Sequence, residues 1–385
     1  MTGLYDVILI GAGSIGAPAA MYLAEAGLRV LVLEQHASAG QGSNKAAIGG
    51  IRATHSDPAK IRLGLESLEV FRNWKEERGQ DIEWHQGGYC YVVYTENDEK
   101  ILKDLVSTQK TLGLKNDWLD AQSILELVPG LNPNGLRGGT FSEEDGYASN
   151  LLSNQAFYQA ARKAGAVFHF NEPVTGFQIT HSRVTGVTTA TGSYSSGVVI
   201  NAAGPMAALI GEMAGLHHPV SPDSHEAGIT EPVARFLQPM IVDMRPGDSS
   251  SNVYFYQQNT GQINFCLTPN PQIWGYNCQE TSDFLPLVSR RMINLMPKLA
   301  NIRVRRTWRG LYPMTPDGSP IIGWANELDG YLMAIGMCGQ GFMFGPGVGK
   351  LLTRLLTQSE LSVEDREILQ ILRYDRAFEG SEALK

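Results

Sequence analysis

Cysteine is scarce in this 385-residue chain: Cys90, Cys266, Cys278 and Cys338 are scattered and form no C-x-x-C pair. That spacing offers neither a disulfide framework nor a thiolate metal pattern, and a reduced, cytoplasmic compartment is expected. Positive charge is also in deficit, with 31 Lys and Arg against 39 Asp and Glu and a formal net charge of -8. A general nucleic-acid binder is therefore excluded, and any anionic substrate needs a local positive group. Uncharged apolar stretches are broken by Gly, Pro or polar residues well short of the about 20 residues a spanning helix needs, so no membrane span is expected. Residues 7–24 are apolar, but no Lys or Arg precedes them. A glycine motif accounts for that stretch better than a signal peptide does. Repeats, low-complexity tracts and obvious linkers are absent, and the length suits two interleaved domains around a full core.

What is present begins at once. Asp6 to Ile10 read as a short apolar strand, Gly11, Gly13 and Gly16 fit G-x-G-x-x-G, Ser14 to Ala26 read as a helix, and Glu34 closes a second strand. This is a dinucleotide-binding βαβ pattern. Gly11 lets the chain turn, Gly13 lets a phosphate approach the backbone, and Gly16 brings helix and sheet together. The helix N-terminus offers unpaired N–H groups to a pyrophosphate. Glu34 can accept hydrogen bonds from a ribose diol, and its charge repels a 2'-phosphate, which favours FAD or NAD over NADP.

Further along, residues 59–77 read as a helix running to a turn at Gly79, with Ile61, Leu65, Leu68 and Phe71 at helical spacing. Tyr89 to Tyr94, after Gly87-Gly88, starts a β-rich segment outside the nucleotide core. Residues 151–164 read as a second amphipathic helix, and Val167 to Phe170 as a returning strand. Gly197 to Ala203 give a buried strand entering a turn at Ala203-Gly204-Pro205, a second place where backbone can pass close to a cofactor. From 215 to 310 short β-like runs dominate: Ala227 to Thr230, Val253 to Gln257, Ile263 to Leu267 and Ile302 to Arg309. They suggest a sheet roofing a ligand site.

The C-terminal region separates a nicotinamide from a flavin. Tyr331 to Ile335 form an apolar strand, followed by a glycine-rich run from Gly336 to Gly349 and a helix whose first residue is expected to be Pro346. Such a run describes a backbone-lined cradle ending at a helix N-terminus, where an anion gains about 0.3–1 kcal/mol from the dipole. A reduced flavin carries such a charge, whereas a nicotinamide enzyme has no need of this second site. Close packing is the alternative use of the same glycines.

These motifs together resemble the D-amino-acid oxidase type of FAD-dependent oxidoreductases, in the branch of sarcosine oxidases, glycine oxidase and the β subunits of heteromeric sarcosine oxidase, opine oxidase and proline dehydrogenase. The resemblance runs from about Tyr5 to Leu356. It is carried by Y-D-V-I-L-I-G-A-G-S-I-G with Glu34, G-G-I-R at 49–52, E-E-D-G-Y-A at 143–148, V-I-N-A-A-G at 199–204, H-E-A-G-I-T-E-P at 225–232, Y-P-M-T-P-D-G-S-P-I-I-G at 312–323 and G-Q-G-F-M-F-G-P-G-V-G at 339–349. The stretch at 225–232 is most similar to the β subunits of the heteromeric enzymes, implying a possible second subunit or electron carrier. The resemblance implies an α/β fold: a Rossmann-like FAD-binding domain from 1–80, 145–215 and 310–360, interleaved with a smaller α+β substrate domain from 81–144 and 216–309 on a largely antiparallel sheet, with 361–385 as a C-terminal tail.

It also implies a reaction, in which an amino acid or N-alkyl amino acid loses its Cα hydride to flavin N5 and becomes an imine. The protein's tasks are to hold the substrate carboxylate, place Cα–H and stabilise the reduced ring. Arg52 is the carboxylate candidate, since guanidinium pairs bidentately with carboxylate; a flavin or structural ion pair is its other reading. Gly11, Ala12, Gly13, Ser14, Ile15 and Gly16 form the pyrophosphate turn. Glu34 and Gln35 belong to the ribose, and Val174 to the adenine. Ser43, Asn44, Lys45, Ala203, Gly204, Gly310, Gly339, Gln340, Gly341, Phe342 and Met343 approach the flavin. His55, His225 and Tyr254 are weaker catalytic candidates, each with a packing role as the alternative.

Departures from the family pattern matter too. Monomeric sarcosine oxidase tethers its flavin through a cysteine where this chain has Gly310, so FAD is expected to be non-covalent. A carboxylate-holding lysine of that relative is replaced by Met343, and an oxygen-assisting lysine is missing from Gln272-Ile273-Trp274-Gly275. A dehydrogenase is thus at least as plausible as an oxidase. The alternatives are a flavin-dependent 2-hydroxy-acid or glycerol-phosphate dehydrogenase, and a flavin-carrying subunit active only with a partner polypeptide. Arg303, Arg305 and Arg309 alternate with apolar residues, as one solvent-facing side of a strand does.

Overall fold

In the computed structural model, residues 4–380, 382 and 384 are described. Two large sheets organise the chain. The first has six strands in the order Ile321–Trp324, Tyr331–Ile335, Val199–Asn201, Val7–Ile10, Val30–Leu33 and Val167–His169, parallel except for the outer Ile321–Trp324 pairing. Its strands are short apolar runs because helices cover the sheet; Val7–Ile10 and Val30–Leu33 are buried at every position. The second has eight strands in the order Val304–Met314, Ser221–Thr230, Ile263–Pro269, Ser250–Gln257, Met240–Asp243, Tyr89–Val93, Gly138–Ser142 and Asn116–Asp120. All its pairings are antiparallel except Met240–Asp243 with Tyr89–Val93.

Local chemistry sets the element ends. The helix Pro58–Arg78 begins where Asp57 accepts the amide protons of Ala59 and Lys60, has Pro58 in its first turn, and stops at Gly79 in the left-handed conformation. The helix Gly16–Glu25 packs on Gly341–Thr357 and Asn150–Lys163. Close approach of Gly341–Thr357 to the dinucleotide turn and to Pro58–Arg78 explains the late glycines: a Cβ on Gly345 would lie 2.0 Å from the Ser14 carbonyl, and one on Gly347 2.5 Å from that of Leu63.

Two expectations are corrected. The C-terminal helix begins at Gly341 and contains Pro346, rather than starting there. A first-turn proline is the common pattern, but here the flanking glycines seat the helix against its neighbours and the missing N–H is tolerated inside it. Arg309 is 8% exposed and does not face solvent with Arg305, because the alternation breaks at Arg305-Arg306. The stretch 361–385 also carries structure: a helix at Val363–Ile371, Arg354 bonded to both Glu66 and Asp365, and Arg376 paired with Asp317.

Candidate active site

The two glycine motifs open onto one cavity of about 660 Å³. Gly11, Gly13, Ser14 and Ile15 line it together with Gly339, Gln340, Gly341, Phe342 and Met343, and the two motifs meet where a Cβ on Gly341 would lie 3.4 Å from Ser14 Oγ. Each glycine of the first motif has a distinct reason. Gly11 has φ +105°, and a Cβ there would sit 2.7 Å from the Ala202 carbonyl. On Gly16 a Cβ would come within 1.8 Å of the Gly11 carbonyl, whereas on Gly13 it would meet nothing within 4 Å. Gly13 faces open cavity, where a ligand phosphate can approach.

The cavity also takes in Glu34, Gln35, Ser43, Asn44, Lys45, Val174, Ala203, Gly204 and Gly310, together with Arg52, His225 and Tyr254. Ala12, Gly16 and His55 lie behind its wall. Ala12 is buried and its amide proton is already given to Glu34 Oε2 at 2.8 Å; the other Glu34 oxygen accepts from His36 N at 2.9 Å. His55 is buried against Phe344 and hydrogen bonds Arg52. Burial and the Arg52 and Lys60 cations hold its pKa well below the usual range, so the ring is neutral.

The second sheet and the C-terminal segment build the rest of the wall. Arg52 is 5% exposed. Its guanidinium donates to the Thr54 carbonyl and, at 2.5 Å, to that of Leu384. Burial opposes its charge, but Tyr91, Tyr89, Glu382 and Asp145 outweigh that penalty and raise its pKa. Asp145, from the E-E-D-G-Y-A motif, accepts from Ala53 N at 2.9 Å and Thr54 Oγ1 at 3.1 Å, which fixes the loop bearing Arg52. Burial pushes the Asp145 carboxyl up to about 6. Behind Arg52, fully buried Lys60 meets Glu382 at 2.6 Å. Glu382 also accepts from Ser56 N and Oγ, which ties the C-terminal segment beneath the cavity.

Sequence reasoning missed Asp145 and Glu382, which no short-range spacing links to Arg52, and also Lys60 and Asp223; the Asp223 carboxylate stands two residues before His225 and 3.0 Å from its Nε2. It also set Arg309 on a solvent-facing side, whereas Arg309 lines the cavity. A charged residue at a position where strand alternation fails was the available signal.

The donor set fits a flavin dinucleotide. A backbone phosphate turn, an acid closing the second strand and a glycine turn share one cavity, and buried polar atoms of residues in its wall lack protein partners: Asn44 Oδ1, Gln340 Oε1, Arg309 Nε and His225 Nδ1. The family model described as FAD dependent oxidoreductase matches residues 6–355. The chain belongs to this FAD-dependent oxidoreductase family. The chain is similar to hydrogen cyanide synthase subunit HcnC of Pseudomonas aeruginosa, 27% identical over 94% of this chain and 95% of that protein's length. Human mitochondrial dimethylglycine dehydrogenase is 25% identical over 92% of this chain, which spans 43% of that enzyme's length. Among solved structures, L-proline dehydrogenase from P. horikoshii shares 30% identity and a TM-score of 0.89, covering 96% of this chain and 98% of that one. The protein is an FAD-dependent oxidoreductase with the two-sheet fold of this family. Among the described residues no helix is long and apolar enough to cross a membrane.

Proposed function

We propose that this flavoenzyme oxidises an amino acid or N-alkyl amino acid at Cα to the imine, with Arg52 holding the substrate carboxylate. One observation carries the reading: a buried guanidinium lines the same cavity as the dinucleotide turn. Three of its donor contacts are engaged by Thr54, His55 and Leu384, and a guanidinium has five N–H groups. The remaining donors suit a planar carboxylate. The names of the relatives, a dimethylglycine dehydrogenase, a glycine oxidase and an L-proline dehydrogenase, agree with a substrate carrying both an amine and a carboxylate.

In this reading Gly11, Gly13, Ser14 and Ile15 hold the pyrophosphate, Glu34 and Gln35 the ribose, and Val174 the adenine. Ser43, Asn44, Lys45, Gly310 and the run Gly339 to Met343 surround the ring. Bound FAD supplies the two-electron acceptor for the Cα hydride. Met343 and the apolar wall exclude water, so Arg52 acts in a medium of low dielectric, where orientation and charge count for more. With Gly310 offering no thiol, the flavin is non-covalent. The FAD-binding and substrate domains divide at about the boundaries given above, except that Val304–Met314 runs across the one at 310 as a single strand of the second sheet.

Anaerobic addition of proline, sarcosine, glycine and an opine, and of matched 2-hydroxy acids, tests the reading through the visible flavin band. Bleaching by an amine is expected; bleaching by hydroxy acids alone overturns it. A second reading, a flavin-carrying subunit that needs a partner, is favoured by apolar side chains at the cavity's rim: Leu209, Met213 and Tyr276 line it and are all exposed. Copurification of a second polypeptide with inactivity of the isolated chain selects it.

A further inference from the structure

Arg52 follows the short strand Gly50–Ile51, and the loop it opens ends at Asp57, the cap of the helix Pro58–Arg78. Its guanidinium is held from two directions. Nη1 contacts that loop itself, through the Thr54 carbonyl and His55 Nδ1 at 3.1 Å, whereas Nη2 donates at 2.5 Å to the carbonyl of Leu384, 332 residues away in sequence. Fixing both terminal nitrogens fixes the plane of the fork, and a bidentate grip on a carboxylate depends on that plane. Leu384 is in turn seated by Glu382. Glu382 Oε1 accepts the Leu384 amide proton at 3.1 Å together with those of Ser56 N at 2.9 Å and Ser56 Oγ at 2.7 Å, and Oε2 meets Lys60 Nζ at 2.6 Å. One carboxylate thus joins the loop after Arg52, the first turn of the next helix and the backbone that touches Arg52. The Leu384 side chain, 1% exposed, belongs to one packed cluster with Tyr89, Tyr91 and Val242, which line the cavity. Burial opposes the Glu382 charge, but the Lys60 ammonium, chief among its neighbours, outweighs that penalty and holds the carboxyl below its ordinary range. An apolar pair of the same size would serve stability as well as this buried ion pair does. It could not accept three hydrogen bonds on one oxygen.

We propose that Glu382 is a positioning residue for substrate binding: through Ser56 and the Leu384 backbone it sets the pose of the Arg52 guanidinium, and with it the affinity of the site for a carboxylate. The inference rests on the reading of Arg52 as the carboxylate holder. Glu382 itself touches neither substrate nor flavin in this scheme. Its effect falls on the concentration at which a carboxylate binds more than on the rate at saturation, since the hydride leaves from Cα and not from the group that Arg52 grips. The carboxylate site is therefore completed by residues more than three hundred positions beyond the arginine that serves it.

The test uses the full-length FAD-loaded protein as wild type, K60M/E382M, K60M/E382Q and R52A. Both double variants remove the two buried charges together, so no lone ammonium is left to unfold the chain. Glutamine keeps an acceptor oxygen for Ser56 and Leu384, and methionine keeps none. Acetate binding is followed by the perturbation of the visible flavin band, and anaerobic reduction by proline gives a half-saturating concentration and a limiting rate. K60M/E382M is expected to bind acetate about 10-fold more weakly and to need about 10-fold more proline, a difference of about 1.4 kcal/mol, with flavin content and limiting rate within about threefold of wild type. K60M/E382Q, which matches it in charge, should recover acetate affinity to within about threefold of wild type. A purely structural role would move the urea midpoint in both and the acetate affinity in neither. K60M/E382M binding acetate within about twofold of wild type, or the two double variants weakened alike, overturns the inference. Should the double variants fail to load FAD, S56A decides, since it leaves the Lys60–Glu382 pair intact and removes one bond to Oε1: acetate about threefold weaker supports the inference, and unchanged affinity overturns it. R52A separates the two readings. Wild-type acetate affinity in R52A means that Arg52 is not the carboxylate holder, and the inference falls with that reading; a loss in R52A beside none in K60M/E382M removes the inference alone.

Discussion

Two parts of the cavity are made of different materials. The phosphate part is backbone: a glycine turn, a helix start and the Ala203-Gly204 turn, all read as short spacings along the chain. The substrate part consists of buried charges, with Arg52, Lys60, Glu382, Asp145 and Asp223 among the most enclosed ionisable groups of the molecule. A backbone site is specified by where side chains are missing, whereas a charged one is specified by which distant residues meet. The first tolerates change in its neighbours, and the second stands or falls with each partner.

The sharpest break of this comparison is within the glycine turn. G16A forces a Cβ to 1.8 Å from the Gly11 carbonyl and is expected to abolish soluble, folded protein. G13A meets no protein atom within 4 Å and is expected to fold with near wild-type circular dichroism yet copurify without flavin. A yellow G13A protein would remove Gly13 from the phosphate site.

In the charged part, E382Q leaves the fully buried Lys60 ammonium without its anion. Burial already pulls the Lys60 pKa down, and Glu382 is the chief group opposing that shift. Urea unfolding should register a loss of about 3–5 kcal/mol. An unchanged midpoint would show that the C-terminal segment contributes nothing to the fold. R52K keeps the charge but loses the planar fork. It should raise the substrate concentration for half-maximal flavin reduction about 10- to 100-fold while leaving reduction by dithionite unaffected.

The smallest effect concerns pH. Burial raises the Asp145 carboxyl from 3.8 to about 6, so between these values the folded chain holds a proton that the unfolded chain has released. Its contribution to stability is therefore present at low pH and lost as the pH rises through about 6. His218 works in the opposite sense. Burial lowers it from 6.5 to about 4, so its contribution is present above that range and lost on acidification. D145N removes only the first effect. The difference in Tm, variant minus wild type, should climb between the ordinary carboxylate range and about pH 6 and then level off. A flat difference would mean that Asp145 is ionised throughout.

Much of the first sheet was legible. Val7–Ile10, Val30–Leu33 and Tyr331–Ile335 are apolar runs bounded by glycines or charges, and Gly79 marked a helix end correctly. The helix Glu96–Thr111 and the strand Met240–Asp243 were not anticipated: the first has a mostly polar surface, and the second is too short for alternation to show. The helix from Gly341 shows how one residue type serves two ends, since Gly339 and Gly341 line the cavity while Gly345 and Gly347 let helices approach.

By itself the sequence determined that a dinucleotide binds, because a dinucleotide turn is a local object whose parts lie within thirty-odd residues of one another. Tertiary structure alone decided which charges surround Arg52 and which atom of His225 is left without a partner. The first depends on segments far apart in the chain, as where the Leu384 carbonyl meets Arg52, and the second on how the His225 ring is seated against Tyr312; burial, not spacing, sets their strength.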